Sequence, residues 1–196
     1  MQQPHTTDDE TRPALAVRWL ADHLGTGDVV DFGAGLGRHA LYLAERGLSV
    51  TALDVSPTAV AAIRDTARRR SVDGIEARVA DARAPLDRDI DGAVCTFLLH
   101  YFTEVQARRF IDEIQRRTRP GGIHVHIAFT RGSRPVSLPE MPDAFVPDPA
   151  WLDAAYAGWD TLHRSSWRTA VSPHRGGGAD ADASTLMVRR RHAGSD

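Results

Sequence analysis

The chain has 196 residues, 42% of them hydrophobic and 26% charged, the size and composition of a single ordinary globular domain. Its 24 basic residues, all Arg, nearly balance 26 acidic ones for a net charge of −2, so it carries no electrostatic footprint for nucleic acid. Cys95 stands alone, which excludes an intramolecular disulfide and a cysteine-based metal cage. No run approaches the ~20 apolar residues of a membrane span.

The opening MQQPHTTDDETRP is polar and acidic and lacks the layout of a signal peptide, so residues 1–10 are expected to be a loose N-terminus of a cytoplasmic protein. A first helix is expected from Thr11, as its cap, to about Leu24, with Pro13 in the first turn and an apolar stripe of Leu15, Trp19, Leu20 and Leu24. Val29–Phe32 reads as a short buried strand. A helix from Gly37 to Arg46 follows and stops at Gly47, a natural left-handed residue past a helix end. Residues 48–54 alternate as a second strand.

Ser56-Pro57 starts a helix to about Arg70, with Val60, Ile63 and Ala67 on one face. Its closing Arg68-Arg69-Arg70 suits a solvated helix C-terminus. Strands are predicted over 75–81 and 90–99, the latter apolar enough to be covered on both faces. Thr103 with Gln106 forms a capping box for the next helix, which Arg119-Pro120-Gly121-Gly122 ends before a strand over 123–130.

Residues 131–149 hold five of the eleven prolines and read as a substrate lid or loop. Asp148-Pro149 caps a short helix, and 164–171 with 184–191 form a C-terminal β-hairpin. Regular strand–helix alternation means a parallel sheet covered by helices on both faces. The fold class expected is therefore α/β, a Rossmann-like three-layer sandwich in one domain over 1–196.

Chemistry concentrates in VVDFGAGLGRH, residues 29–39. Ligands of open α/β sheets bind at the carboxyl ends of the strands. A dinucleotide fingerprint starting at Gly33 and Gly35 needs its third glycine at 38, but Arg38 stands there and the glycine is Gly37. That spacing disfavours a pyrophosphate cofactor and leaves S-adenosyl-L-methionine as the other ligand of such turns. Gly33 and Gly35 would let backbone approach its amino-acid and ribose parts, and Asp31 would attract its ammonium or orient the loop. Asp54 ends the second strand, where a carboxylate can accept both ribose hydroxyls. Asp81 ends the third, placed to accept from the adenine amino group with Ala82 supplying a backbone donor.

These motifs resemble the class I S-adenosylmethionine-dependent methyltransferases, and more narrowly the tellurite-resistance-type small methyltransferases. The resemblance runs through VDFGAGLGRHALYLAERGLSVTALD, RRTRPGG, FVPDPAWLDAAYAGWD, SPHR and STLMVRR. It implies a seven-stranded, mostly parallel sheet with an antiparallel last strand. Cofactor contacts carried over from it fall on Arg12, Asp31, Gly33, Ala34, Gly35, Asp54, Val55, Asp81, Ala82 and Thr96, and a His-Arg pair over the methyl group on His174-Arg175. Two departures stand out. GGGADADA lacks a further arginine expected after that pair, and aromatic residues expected before Thr11-Arg12 are missing.

The reaction expected is methyl transfer by in-line displacement to S, Se, Te, N or O of a small molecule, leaving S-adenosyl-L-homocysteine. Alignment supplies much of such a rate, and an amine or hydroxyl acceptor also wants a base. His174 and His100 are the candidates, since an imidazole titrates near neutrality. Arg175, Arg131 and Arg134 would hold an anionic substrate, and His39 would touch the cofactor or its neighbours. His124 and His126 alternate on one strand face without further ligands in sight and read as packed histidines rather than a metal site. Cys95-Thr96-Phe97-Leu98 lacks the Asp/Asn-Pro-Pro-aromatic run of base-amino methyltransferases. Together with the acidic balance this favours a small-molecule substrate over nucleic acid, with the chain a monomer or homodimer. Two other readings stay open: an S-adenosylmethionine-binding protein or cyclase that transfers no methyl, and a nicotinamide oxidoreductase.

Overall fold

The computed structural model describes residues 12–132, 144–170 and 180–192. In chain order the elements are α1 (Leu15–Leu24), β1 (Asp28–Phe32), α2 (Arg38–Glu45), β2 (Ser49–Asp54), α3 (Pro57–Arg70), β3 (Ile75–Val79), β4 (Ile90–Thr96), a 3-10 turn (Leu99–Tyr101), α4 (Glu104–Arg117), β5 (Thr118–Phe129), α5 (Pro149–Ala155), β6 (Asp160–Ala170) and β7 (Asp180–Arg189). The seven strands form one sheet in the order β3-β2-β1-β4-β5-β7-β6. β1 to β5 run parallel, while β7 is antiparallel to both β5 and β6. The order reverses between β1 and β4, which places the glycine turn at the switch point where open α/β sheets bind ligands.

Alternation along the strands splits the core between the two sheet faces. Val29, Val50, Ala52, Val94 and Ile127 pack with Val17, Leu20, Leu43 and Ile63 of α1, α2 and α3. On the opposite face Val30, Phe32, Ala93, Cys95 and Leu186 pack with Phe110, Ile111 and Ile114 of α4 and Leu152 of α5. Cys95 is buried there, and desolvation with the nearby Asp31 charge pushes its thiol pKa far up, as an inert core thiol should be.

Helix starts follow their caps. Ser56 accepts from the Ala59 amide at 3.2 Å with Pro57 in the first turn. Thr103 and Gln106 form the reciprocal box at 3.3 and 2.9 Å, and Asp148 accepts from Ala150 at 2.8 Å. Gly47, just past α2, takes φ 88°. At the end of α3, Arg68 and Arg69 pair with Asp65 and Arg70 with Glu45, all exposed.

Several expectations need correction. The strand expected over 90–99 ends at Thr96, before the 3-10 turn, and the terminal hairpin starts four residues early on both strands, at Asp160 and Asp180. α1 starts at Leu15 with Ala14 as its N-cap and no side-chain cap bond, so Thr11 is not the cap and Pro13 lies ahead of the first turn. Its buried stripe is Ala16, Val17, Leu20 and Ala21, while Leu15 is exposed. The chain from β3 to β4 crosses without a helix, so the sheet is not helix-covered on both faces along β2 and β3. There Thr51 is bonded by Arg88, Glu76 pairs with Arg78 at 2.6 Å, and the Leu86 amide ties the crossing to Glu113 of α4 at 3.1 Å. β5 also starts at Thr118, five residues before the expected strand, and its pairing with β4 shifts register between Ile90 and Gly92.

Candidate cofactor and acceptor site

The turn after β1 is shaped by positive φ at Gly33 (68°), Gly35 (55°) and Gly37 (84°), a region that costs L-residues with a Cβ. The three glycines do different work. A Cβ on Gly37 would sit 2.7 Å from Ile63 Cγ1, so this glycine lets α2 close onto α3. One on Gly33 would meet Leu98 Cδ1 at 3.0 Å, whereas one on Gly35 would meet nothing within 4 Å. Gly35 therefore presents bare backbone to open space.

Asp54 fixes that backbone. Its Oδ2 accepts from the Gly35 amide at 2.8 Å and its Oδ1 from the Ser56 amide at 2.9 Å. A carboxylate offers about four acceptor positions, so each oxygen keeps capacity for a further donor while its direction is locked. Val55, beside it, is 67% exposed, and Leu36 of the turn is 74% exposed. Two large apolar side chains thus stand in water at the mouth of the same turn.

Asp31 is fully buried and, among the described residues, neither oxygen meets a donor with hydrogen-bond geometry. Burial pushes its carboxyl up to about 7; the Ala40 amide and the Arg38 charge pull the other way and the Asp54 charge adds to the rise. His39, at the start of α2, accepts from Arg38 Nε on Nε2 at 3.2 Å. That bond assigns the proton to Nδ1, a buried donor with no partner among the described residues. Burial and the Arg38 charge hold this imidazole neutral, its pKa lowered to about 3. Buried polar atoms are almost always partnered. An acceptor pair and a donor left over beside an open glycine turn fit a polar ligand such as an ammonium-bearing one.

Asp81 follows β3, and Arg83 closes on it through both side-chain and backbone donors, its Nε 2.8 Å from Oδ1. That bond holds the Asp81 carboxyl below the ordinary range. The pair is exposed, worth only ~0–1 kcal/mol, so a better donor can displace the arginine. Ala82 is buried next to it.

β4 ends at Thr96, half-buried. The next residue, Phe97, has φ 49°, a conformation costing a non-glycine residue about 1–2 kcal/mol. Its amide donates to the Ile127 carbonyl at 2.6 Å. The ring lies 4.8 Å from that of Phe129 and 6.2 Å, edge-on, from that of Trp167. Nothing in the sequence flags a phenylalanine for positive φ. Beyond it His100 is 3% exposed and stacks at 4.3 Å on Tyr101 and 5.2 Å on Phe129. It stands inside the wall rather than in the opening.

A cleft of about 300 Å³ opens at the carboxyl end of β5, lined by Thr130, Arg131, Trp167, Arg168 and Asp182 among others. Arg131 is exposed and its amide is held by the Pro147 carbonyl at 2.9 Å. Arg12 is exposed ahead of α1. His174, Arg175 and Arg134 lie outside the described residues.

His124 and His126 are packed, as expected, in a buried chain of bonds that fixes their protons. Thr118 donates to the Ile114 carbonyl at 2.6 Å, so it accepts from His124 Nε2–H at 2.7 Å. His124 Nδ1 then accepts from the Tyr156 hydroxyl at 2.7 Å, and Tyr156 accepts from His126 Nε2–H at 2.6 Å. Burial lowers both imidazoles, His126 to about 3, and raises the Tyr156 phenol. Tyr156 escaped the sequence reading because it meets its partners only through the fold.

Residues 29–122, from β1 into the start of β5, match the family model described as a methyltransferase domain. The 2-heptyl-1-hydroxyquinolin-4(1H)-one methyltransferase of Mycobacteroides abscessus is 32% identical over 125 residues, 59% of this chain and 55% of that protein. Hemagglutinin 1 of Eikenella corrodens is 29% identical over 160 residues, covering 81% and 52% respectively. The chain thus spans about half the length of the curated relatives it matches. The crystal structure of TehB from Haemophilus influenzae superposes with a TM-score of 0.80 at 21% identity, covering 91% of this chain and 63% of that one. Among the described residues no helix is long and apolar enough to cross a membrane. Residues 29–122 thus match a methyltransferase domain, with the glycine turn at the sheet's switch point, and the fold is the one shared with TehB, that of the class I S-adenosylmethionine-dependent methyltransferases.

Proposed function

We propose that this protein transfers a methyl group from S-adenosyl-L-methionine to a heteroatom of a small molecule. The observation that carries the reading is the join between Asp54 and Gly35, a carboxylate locked by two backbone amides beside a glycine that faces open space. Bound S-adenosyl-L-methionine supplies a methyl carbon on a sulfonium and leaves as S-adenosyl-L-homocysteine.

Each residue then has a stated task. Asp31 holds the ligand's ammonium, and the Gly33-Ala34-Gly35 backbone lies along its amino-acid and ribose parts. Asp54 accepts the ribose hydroxyls, Val55 covers the adenine face, and Asp81, released from Arg83, accepts the adenine amino group beside Ala82. Thr96 borders the methyl end, and Arg12 closes over the cofactor as the family resemblance implies. A hydroxyl or amine acceptor would give its proton to a base of this chain as it takes the methyl group. His174, paired with Arg175, takes that role, with His100 as the second candidate, and Arg131 and Arg134 attract an anionic acceptor. The M. abscessus relative, whose name specifies a hydroxyquinolone acceptor, supports a small-molecule substrate, as does the −2 net charge.

The test is to incubate the protein with S-adenosyl-L-methionine and a panel of hydroxyl, amine and thiol acceptors and to quantify products by mass spectrometry. Equal amounts of S-adenosyl-L-homocysteine and methylated acceptor are expected. Tight cofactor binding without S-adenosyl-L-homocysteine on any acceptor would instead assign a binding protein or a cyclase.

A further inference from the structure

Resting on the methyltransferase reading above, we infer that Arg83 is a latch on the adenine subsite, a resident cation that the cofactor's amino group must displace from Asp81. The inference starts from two carboxylates at neighbouring strand ends. Asp54, the last residue of β2, accepts from one backbone amide on each oxygen. A carboxylate offers about four acceptor positions, so Asp54 stands half-filled and ready for two ribose hydroxyls. Asp81, two residues beyond β3, is full. Its Oδ1 accepts from the Arg83 amide and from Arg83 Nε, both at 2.8 Å. Its Oδ2 accepts from the same Nε at 3.0 Å and from Arg83 Nη2. While the guanidinium stays, no position on Asp81 is left for an adenine amino group.

Several features let the pair open. Arg83 lies on the same loop as Asp81, and its side-chain hydrogen bonds among the described residues all end on that carboxylate. It can therefore leave by rotation about its own side-chain bonds, with no strand or helix moving. The Arg83 amide keeps its bond, so the carboxylate holds its direction after the guanidinium has gone. A second seat lies beside the first: the guanidinium carbon is 5.9 Å from the centre of the Phe102 ring, within range of a cation–π attraction. Side-chain exposures of 46% and 42% open the pair to water and salt, which keeps it far weaker than a buried pair. A latch of that strength yields to a bound ligand and still lowers its affinity measurably. It also discriminates, because only a base with an amino donor gains a bond to Asp81 when the latch opens.

The experiment compares the full wild-type chain with Arg83→Ala, Asp81→Asn and the double variant. Calorimetry measures S-adenosyl-L-homocysteine affinity, and competition against it measures adenosine and purine riboside, which lacks the amino group. All three ligands are without net charge near neutral pH, so their response to salt reports the protein. Arg83→Ala should bind S-adenosyl-L-homocysteine and adenosine about two- to fivefold more tightly than wild type, with purine riboside unchanged. Raising the ionic strength should tighten adenosine binding to the wild type and leave Arg83→Ala unmoved. In the Asp81→Asn background, removing Arg83 should lose its effect. Weaker adenosine binding by Arg83→Ala would overturn the inference and make the arginine a support for the base. So would an unchanged affinity, an equal gain for adenosine and purine riboside, or a gain that survives Asp81→Asn. Failure of the wild-type protein to bind S-adenosyl-L-methionine or S-adenosyl-L-homocysteine would instead overturn the reading on which the inference rests.

Discussion

Buried polar groups behave in opposite ways in the two halves of this sheet. Around β1 and α2, Asp31 and His39 are as buried as core residues, yet both Asp31 oxygens and His39 Nδ1 lack partners among the described residues. Around β5 and α5, Thr118, His124, Tyr156 and His126 are equally buried and bond to one another in sequence. Burial and residue type are shared, so neither distinguishes a ligand site from a packing network. What separates them is how far the polar atoms satisfy each other. The bonded chain ties α5 to the sheet and leaves over one acceptor, His126 Nδ1, whereas beside the glycine turn a whole carboxylate and an imidazole N–H have no partner among the described residues.

The sharpest way to break this contrast is Tyr156→Phe. Removing one hydroxyl strands both His124 Nδ1 and His126 Nε2 in the core, and each buried polar atom left unpaired costs ~1–3 kcal/mol. Chemical denaturation should therefore show a loss of about 2–4 kcal/mol. A loss below about 1 kcal/mol would mean that the network is ornamental. On the other half, Asp54→Ala should weaken S-adenosyl-L-methionine binding by about 2–3 kcal/mol through the lost charged acceptor. Calorimetry showing unchanged affinity would remove Asp54 from the ribose.

The glycines sharpen the contrast within a single turn. Gly37→Ala adds an unfavourable φ to a clash with Ile63, and should cost about 2–3 kcal/mol of stability. Gly35→Ala carries only the φ cost, about 1 kcal/mol, but places a methyl in the space assigned to the cofactor. Denaturation and calorimetry on the two variants should therefore give opposite rankings, Gly37→Ala being worse for folding and Gly35→Ala for binding.

Acidity gives the smallest and most specific effect. His39 and His126 have folded pKa values near 3, below the unfolded ~6.5. Their contribution to stability is present above pH 6.5 and is lost as pH falls toward 3. Asp31 has the opposite sign: with its folded value near 7, its contribution is present below pH 3.8 and lost as pH rises through 7. A ligand ammonium needs Asp31 charged, so cofactor affinity should fall about tenfold from pH 8 to pH 6. Asp31→Asn should bind weakly at both pH values and flatten the profile. A wild-type profile that is already flat would detach Asp31 from the ammonium.

The elements around the proposed cofactor site are legible in the sequence because their signals are local. Glycine spacing, an acid at each strand end and the Ser56, Thr103 and Asp148 caps all depend on neighbours a few residues away. The other half depends on distant partners. Tyr156 meets His124 across 32 residues, and the Phe97 conformation is imposed by β5 and by Trp167, to which no spacing rule connects it. The helix missing between β3 and β4 left only a faint trace, the polar run DARAPLDRD broken by Pro85. Arg83, closing on Asp81, was invisible as well, since a pair two residues apart on a loop has no periodicity to betray it.

A paired titration tests the role of the glycine turn most directly. S-adenosyl-L-methionine and NAD are each titrated calorimetrically into the wild-type chain and into Gly35→Ala. The expected result is saturable binding of S-adenosyl-L-methionine to the wild type, a large loss in Gly35→Ala, and no heat from NAD. Saturable binding of NAD with none of S-adenosyl-L-methionine, or equal S-adenosyl-L-methionine affinity in both proteins, would contradict it.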